Sequence, residues 1–87
     1  MRIGAIDQGT TSTRILVADD TAAQIFASFT HATRYPQPGW VEQDGLEIAA
    51  NIERCIAAAG PLDAIGLANQ GESCLAWTRS ARSRWRR

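Results

Sequence analysis

No apolar run in this 87-residue sequence approaches the length of a membrane-spanning helix, which takes about 20 such residues. Its start, Met1-Arg2-Ile3, lacks the long apolar core and small-residue cleavage site of a secretory signal peptide. Only two cysteines are present, Cys55 and Cys74, too few for a disulfide framework and without metal-ligand spacing. They read as reduced thiols of a cytoplasmic chain, packed as small hydrophobes. There are no internal repeats, and no low-complexity segment precedes residue 79. A chain this short buries only about 60–65% of its extended surface. Its 45% hydrophobic content therefore suits one small domain, or a piece of a larger one.

The zero net charge conceals an asymmetry. Residues 1–78 carry four Arg against nine Asp and Glu, whereas residues 79–87 carry five Arg and no acid. That last stretch, Arg79-Ser80-Ala81-Arg82-Ser83-Arg84-Trp85-Arg86-Arg87, has no apolar period and reads as a disordered basic tail. One tryptophan makes no stacking platform, so nucleic acid is not an expected partner.

Two short apolar strands, Arg2–Asp7 and Thr13–Ala18, flank a turn with one carboxylate and four hydroxyls, Asp7-Gln8-Gly9-Thr10-Thr11-Ser12-Thr13-Arg14. The Asn-Gly or Asp-Gly pair of an ordinary two-residue hairpin is missing. Gly9 lets a ligand approach the backbone closely. The amides around Gly9, Thr10 and Thr11 and the hydroxyls of Thr10, Thr11, Ser12 and Thr13 are donors for phosphate oxygens. Arg14 adds a charged fork, and Asp7 is a hard oxygen donor of the type Mg²⁺ prefers. A merely solvated polar turn is the competing reading of the same residues.

A third strand is expected over Gln24–Thr30, where apolar alternation is only approximate. The loop Tyr35-Pro36-Gln37-Pro38-Gly39-Trp40 interrupts regular structure, with Trp40 as a hydrophobic anchor in the core. A helix follows, N-capped by Asp44 with Glu47 three residues on, and ended by Gly60-Pro61. Ile48, Ile52, Cys55, Ile56 and Ala59 form its apolar face, with Glu47, Asn51 and Arg54 on the other side. Leu62–Ala68 reads as an interior strand, and Asn69-Gln70-Gly71-Glu72-Ser73 lies at its carboxyl end, where open α/β sheets bind ligands. His31, without a partner acid in the sequence, reads as a surface residue. Three strands in an antiparallel meander, a helix and a strand joining in parallel describe the opening of a ribonuclease H-like or actin-like α/β domain.

Three stretches carry a family resemblance. The turn Asp7–Arg14 resembles the first phosphate-binding motif of the FGGY carbohydrate kinases, in their glycerol-kinase-like branch. Tyr35-Pro36-Gln37-Pro38-Gly39-Trp40-Val41-Glu42-Gln43-Asp44 and Gly66-Leu67-Ala68-Asn69-Gln70-Gly71-Glu72-Ser73 are similar to two further segments of that branch. The resemblance covers residues 3–78, the first part of the family's N-terminal domain. It implies phosphoryl transfer from Mg·ATP to a hydroxyl of glycerol or a related polyol or sugar. Gly9, Thr10, Thr11, Ser12 and Arg14 would meet the phosphates, Asp7 would hold Mg²⁺ directly or through a water, and Glu72 would bind acceptor hydroxyls. Gly71 departs from the pattern, since the family has an Arg there. Charged hydrogen bonds are worth about 1.5–3 kcal/mol each. Losing that fork either weakens glycerol binding or opens room for a larger polyol.

The family's catalytic Asp and its second lobe lie beyond these residues, so the chain alone is expected to be inactive. The basic tail begins where the family would continue into another strand, and reads as a truncation or an out-of-frame ending. The partners implied are a nucleotide, a small polyol or sugar, and either the missing C-terminal lobe or another copy of the chain. No membrane partner is expected. The alternatives are a non-catalytic nucleotide-binding fragment or pseudo-kinase that needs a partner and, more weakly, an actin- or chaperone-type ATPase.

Overall fold

A computed structural model of the protein describes residues 1–71, 73 and 74. In chain order the elements are β1 (Ile3–Gln8), β2 (Ser12–Ala18), β3 (Ala23–Thr30), β4 (Thr33–Arg34), β5 (Glu42–Gln43), α1 (Gly45–Ala59) and β6 (Ala64–Ala68). Strict alternation makes β1 and β2 two-faced strands. Gly4, Ile6 and Gln8 with Thr13, Ile15 and Val17 are buried, while Ile3, Ala5, Asp7, Arg14 and Leu16 are exposed. The two strands pair antiparallel, with Asp7 opposite Arg14 and Gln8 opposite Thr13.

Along β3 the register slips, so that Ile15 pairs with Ala27 but Leu16 pairs with Ile25. Phe26 is the extra residue of this bulge, which is why the alternation in its sequence is imperfect. The displaced Phe26 ring lies under the Arg2 guanidinium, 5.2 Å from its centroid. As expected, the first three strands form an antiparallel meander, and β6 joins β1 in parallel to give the order β3-β2-β1-β6. Arg2 ties the start of β6 to β1. Its amide donates to Asp63 Oδ2 at 2.7 Å, and the Asp63 amide donates to its carbonyl at 2.7 Å.

One helix covers one face of this sheet. The Asp44 side chain accepts from the Leu46 amide at 2.9 Å, satisfying an orphan donor of the first turn, and Gly60, at φ 75°, ends the helix. Glu47 does not close a capping box; its Oε1 accepts instead from the Ala32 amide at 2.9 Å. The core joins Cys55 and Ala59 to Ile6, Ile15 and Val17, bordered by Ala27, Phe29, Ile52 and Leu62.

Asn51, expected on the outer side of the helix, is instead 1% exposed. It donates to the Thr30 carbonyl at 3.1 Å and accepts from Arg54 at 3.2 Å. The helix is rotated so that residues 51, 55 and 59 point at the sheet, because the end of β3 has a carbonyl for a polar side chain to satisfy. The expected apolar face is accordingly divided: Ile52 is half-buried and Ile56 is exposed.

Three expectations are corrected. β6 is an edge strand of the described sheet, not an interior one, and Leu67 on it is 62% exposed. Helix α1 lies over β1, β2 and β3 and does not cover it. Trp40 is 48% exposed rather than a core anchor, since the loop carrying it projects from the small antiparallel β4–β5 pair outside the main sheet. That pair forms across the Pro-Gly loop where no strand was expected. His31 is buried, 8% exposed, against the turn between β1 and β2. Among the described residues nothing covers the sheet face opposite α1, and a hollow of about 320 Å³ there is lined by Ala5, Ile6, Asp7, Arg14, Leu16, Ile25 and Ala68.

Candidate functional site

The turn between β1 and β2 is short because the strands run to Gln8 and restart at Ser12. The Gly9 amide donates to the Ser12 carbonyl at 2.9 Å, closing it. Each of its other carbonyls also accepts from a protein donor. The Gly9 carbonyl takes Gln8 Nε2 at 2.8 Å and Gln70 Nε2 at 3.1 Å. The Thr10 carbonyl takes Gln43 Nε2 at 2.6 Å and His31 Nε2 at 3.0 Å. The Thr11 carbonyl takes the His31 amide at 3.1 Å. The amides of Thr10 and Thr11 are not among these donors.

This arrangement has an electrostatic consequence. Carbonyl oxygens repel an anion, and here all four are engaged by N–H groups. The side chains of Thr10 and Thr11 are exposed and Ser12 is half-buried, so hydroxyl donors remain on the open side. A turn whose carbonyls are held inward and whose donors face out has the polarity of an anion-binding nest.

The three glutamines come one from each distinctive sequence stretch: Gln8 from the turn, Gln43 from the end of the Pro-Gly-Trp segment, Gln70 from the segment after β6. The side chains of Gln43 and Gln70 are joined. Gln70 Nε2 donates to Gln43 Oε1 at 2.9 Å, Gln43 Nε2 also donates to Thr33 Oγ1 at 3.2 Å, and the Ser73 hydroxyl donates to Gln70 Oε1. Every hydrogen of both amide groups is committed, and turning either amide over would set oxygen against a carbonyl. His31 Nε2 is the donor of its bond, because the Thr10 carbonyl can only accept; its buried Nδ1 has no partner.

Of the residues expected to bind ligand, Gly9, Thr10, Thr11 and Ser12 form this turn, whereas Thr13 is fully buried and its hydroxyl is not available to a phosphate. Asp7 and Arg14 sit beside it but are bonded to each other, Arg14 Nη2 to Asp7 Oδ2 at 3.0 Å. Gly71 is exposed, and among the described residues an added Cβ would meet nothing within 4 Å. Glu72 lies outside the described residues, as does the Arg-rich segment 79–87. Among the described residues no group of three or more His, Cys, Asp or Glu is placed to hold a metal by itself. Asp7 is the carboxylate nearest the turn in sequence. Sequence reasoning missed Gln43, Gln70 and His31 as site residues. A glutamine or histidine has no local pattern that betrays a distant carbonyl.

Residues 2–83 match the family described as the FGGY family of carbohydrate kinases, N-terminal domain. The chain belongs to this family. Among curated proteins, the FGGY chain described here is 46% identical over 86 residues to a glycerol kinase of Rhizorhabdus wittichii, an alignment covering 88% of this chain and 17% of that protein. It is 48% identical over 85 residues to a glycerol kinase of Aromatoleum aromaticum, covering 87% of this chain and 17% of the relative. A glycerol kinase of Arabidopsis thaliana is 41% identical over 91 residues, with 90% and 17% coverage. The chain thus spans about a sixth of the length of these relatives. Among the described residues no helix is long and apolar enough to cross a membrane.

Proposed function

We propose that this chain provides the phosphate-binding part of an ATP-dependent carbohydrate kinase that phosphorylates a hydroxyl of glycerol or a related polyol or sugar. The observation that carries the proposal is the inward commitment of all four turn carbonyls beside the exposed hydroxyls of Thr10 and Thr11. ATP supplies the phosphoryl group, and the chain's own residues bind and orient it. Gly9, Thr10, Thr11 and Ser12 receive the phosphate oxygens. Arg14 leaves Asp7 to pair with them, and the freed Asp7 carboxylate serves Mg²⁺, directly or through a water. Glu72 orients the acceptor, with Gly71 leaving room beside it.

The same reading takes residues 3–78 as the beginning of a ribonuclease H-like, actin-like domain, followed by a basic tail at 79–87, in a cytoplasmic protein. Isothermal titration of the 87-residue chain with Mg·ATP tests nucleotide binding. Binding in the millimolar range or tighter is expected, and none at that concentration contradicts the proposal. Incubation with ATP and glycerol is expected to yield no glycerol phosphate, because no residue of the chain is assigned as catalytic base.

A second reading, a non-catalytic nucleotide-binding fragment or pseudo-kinase that requires a partner, draws support from the exposed apolar residues Ile65 and Leu67 on β6 and Leu16 and Ile25 on the sheet face opposite α1. Self-association measured by analytical ultracentrifugation, lost on Leu67→Glu, would favour it. An actin- or chaperone-type ATPase is the weakest alternative.

A further inference from the structure

We infer that Gln43 and Gln70 are positioning residues for the phosphate turn, holding its carbonyls away from the ligand and linking its shape to the segment after β6. The inference rests on the phosphate-binding reading of that turn. Neither residue was expected to act there, and neither is placed to touch a phosphate. Each reaches the turn across a long stretch of chain, Gln43 Nε2 to the Thr10 carbonyl at 2.6 Å and Gln70 Nε2 to the Gly9 carbonyl at 3.1 Å.

The two carbonyls belong to adjacent peptide units. A peptide is planar, so fixing a carbonyl direction fixes the direction of the following amide. Holding the Gly9 carbonyl thus aims the Thr10 amide, and holding the Thr10 carbonyl aims the Thr11 amide. These are the two amides that the internal bonds leave unused. Gln8 and His31 contribute to the same carbonyls, but only the Gln43–Gln70 pair is itself bonded, at 2.9 Å. Through it, the end of β6 and the β4–β5 pair act on one turn. Gln43 is buried and Gln70 half-buried, so water does not readily replace their donors.

The expected behaviour is specific to position rather than stability. Gln43→Met and Gln70→Met keep shape and remove the donors; Gln70→Glu keeps shape and an acceptor but sets oxygen against the Gly9 carbonyl. Asp63→Asn, which alters the distant clamp to Arg2, serves as a comparison that changes stability without touching the turn. Residue-resolved NMR on the full 87-residue chain gives two readouts: hydrogen exchange without ligand at the Gly9 amide, which is bonded to the Ser12 carbonyl, and chemical-shift titration of the Thr10 and Thr11 amides with sodium tripolyphosphate. Following those two amides separates turn binding from anion capture by the arginines of 79–87.

The glutamine variants should exchange faster at the turn but not in the core of β1 and β2, and should weaken the Thr10 and Thr11 response about tenfold, the loss of about 1.4 kcal/mol. Asp63→Asn should do neither. Unchanged exchange and affinity in the glutamine variants overturn the inference while leaving the phosphate reading standing. A wild-type turn that ignores tripolyphosphate overturns the phosphate reading instead. The exchange measurement, which needs no ligand, still decides whether the glutamines hold the turn.

Discussion

Arg14 and Asp7 face each other across the β1–β2 pair, with Arg14 Nη2 3.0 Å from Asp7 Oδ2. Their side chains are 49% and 57% exposed, and exposed pairs of this kind contribute only about 0.2–1 kcal/mol. A pair that weak is readily exchanged for contacts to a phosphate and a metal ion. Asp7→Asn and Arg14→Gln should therefore each change unfolding free energy by less than about 1 kcal/mol in urea melts. Their effects on ligands should differ. Asp7→Asn should remove the Mg²⁺ dependence of ATP binding while sparing metal-free tripolyphosphate, and Arg14→Gln should weaken both.

Gly9 separates folding from binding. Its φ is not positive, and an added Cβ would lie 3.4 Å from the Ser12 carbonyl oxygen, an ordinary contact. Gly9→Ala should leave stability within about 1 kcal/mol of wild type. The added methyl should nonetheless obstruct an anion approaching the turn. Calorimetric titration with tripolyphosphate, run beside a urea melt, should show affinity falling with little stability loss. A parallel loss of both would make Gly9 a structural residue only.

Asn51 is a polar residue inside an apolar helix–sheet interface. Asn51→Ala strands the Thr30 carbonyl and leaves a small cavity. Leaving a buried polar group unpaired costs about 1–3 kcal/mol, a large share for a chain this short. Denaturant midpoints should fall accordingly, whereas Ile56→Ala, at an exposed helix position, should change them little.

Burial raises the Cys55 thiol above its ordinary value, while Cys74 is exposed. A raised folded-state value means the unfolded chain gives up its proton first. This stabilising contribution is present below the unfolded thiol value and is lost as pH rises through the folded one. Stability should therefore decline on the alkaline side, and Cys55→Ser should flatten that decline. In native protein near pH 8, a disulfide reagent should modify Cys74 rapidly and Cys55 only as the structure opens.

The strands and the helix were legible because periodicity records burial on one face: Ile6, Ile15 and Val17 alternate, and Cys55 and Ala59 recur at helical spacing. Where the burial is by a polar residue, the pattern misleads. Asn51 looks like a solvent residue and His31 like a surface one, yet each satisfies or meets a carbonyl that only the tertiary fold brings near. Trp40 and Leu67 fail in the opposite direction, since an apolar side chain declares a preference for burial but not whether a covering layer is at hand. The turn itself was readable from local chemistry, and the binding role proposed for it rests on the same residues. The glutamines that shape it act from 33 and 61 residues away, a separation no local pattern reports.

The central claim is that phosphates bind at the β1–β2 turn. Two-dimensional NMR of the full chain titrated with Mg·ATP tests it most directly, because it assigns the contact to residues. The largest shifts are expected at the amides of Thr10, Thr11 and Ser12 and at the Arg14 side chain. Shifts confined to the arginines of 79–87 and abolished by moderate salt, with the turn unmoved, would contradict it.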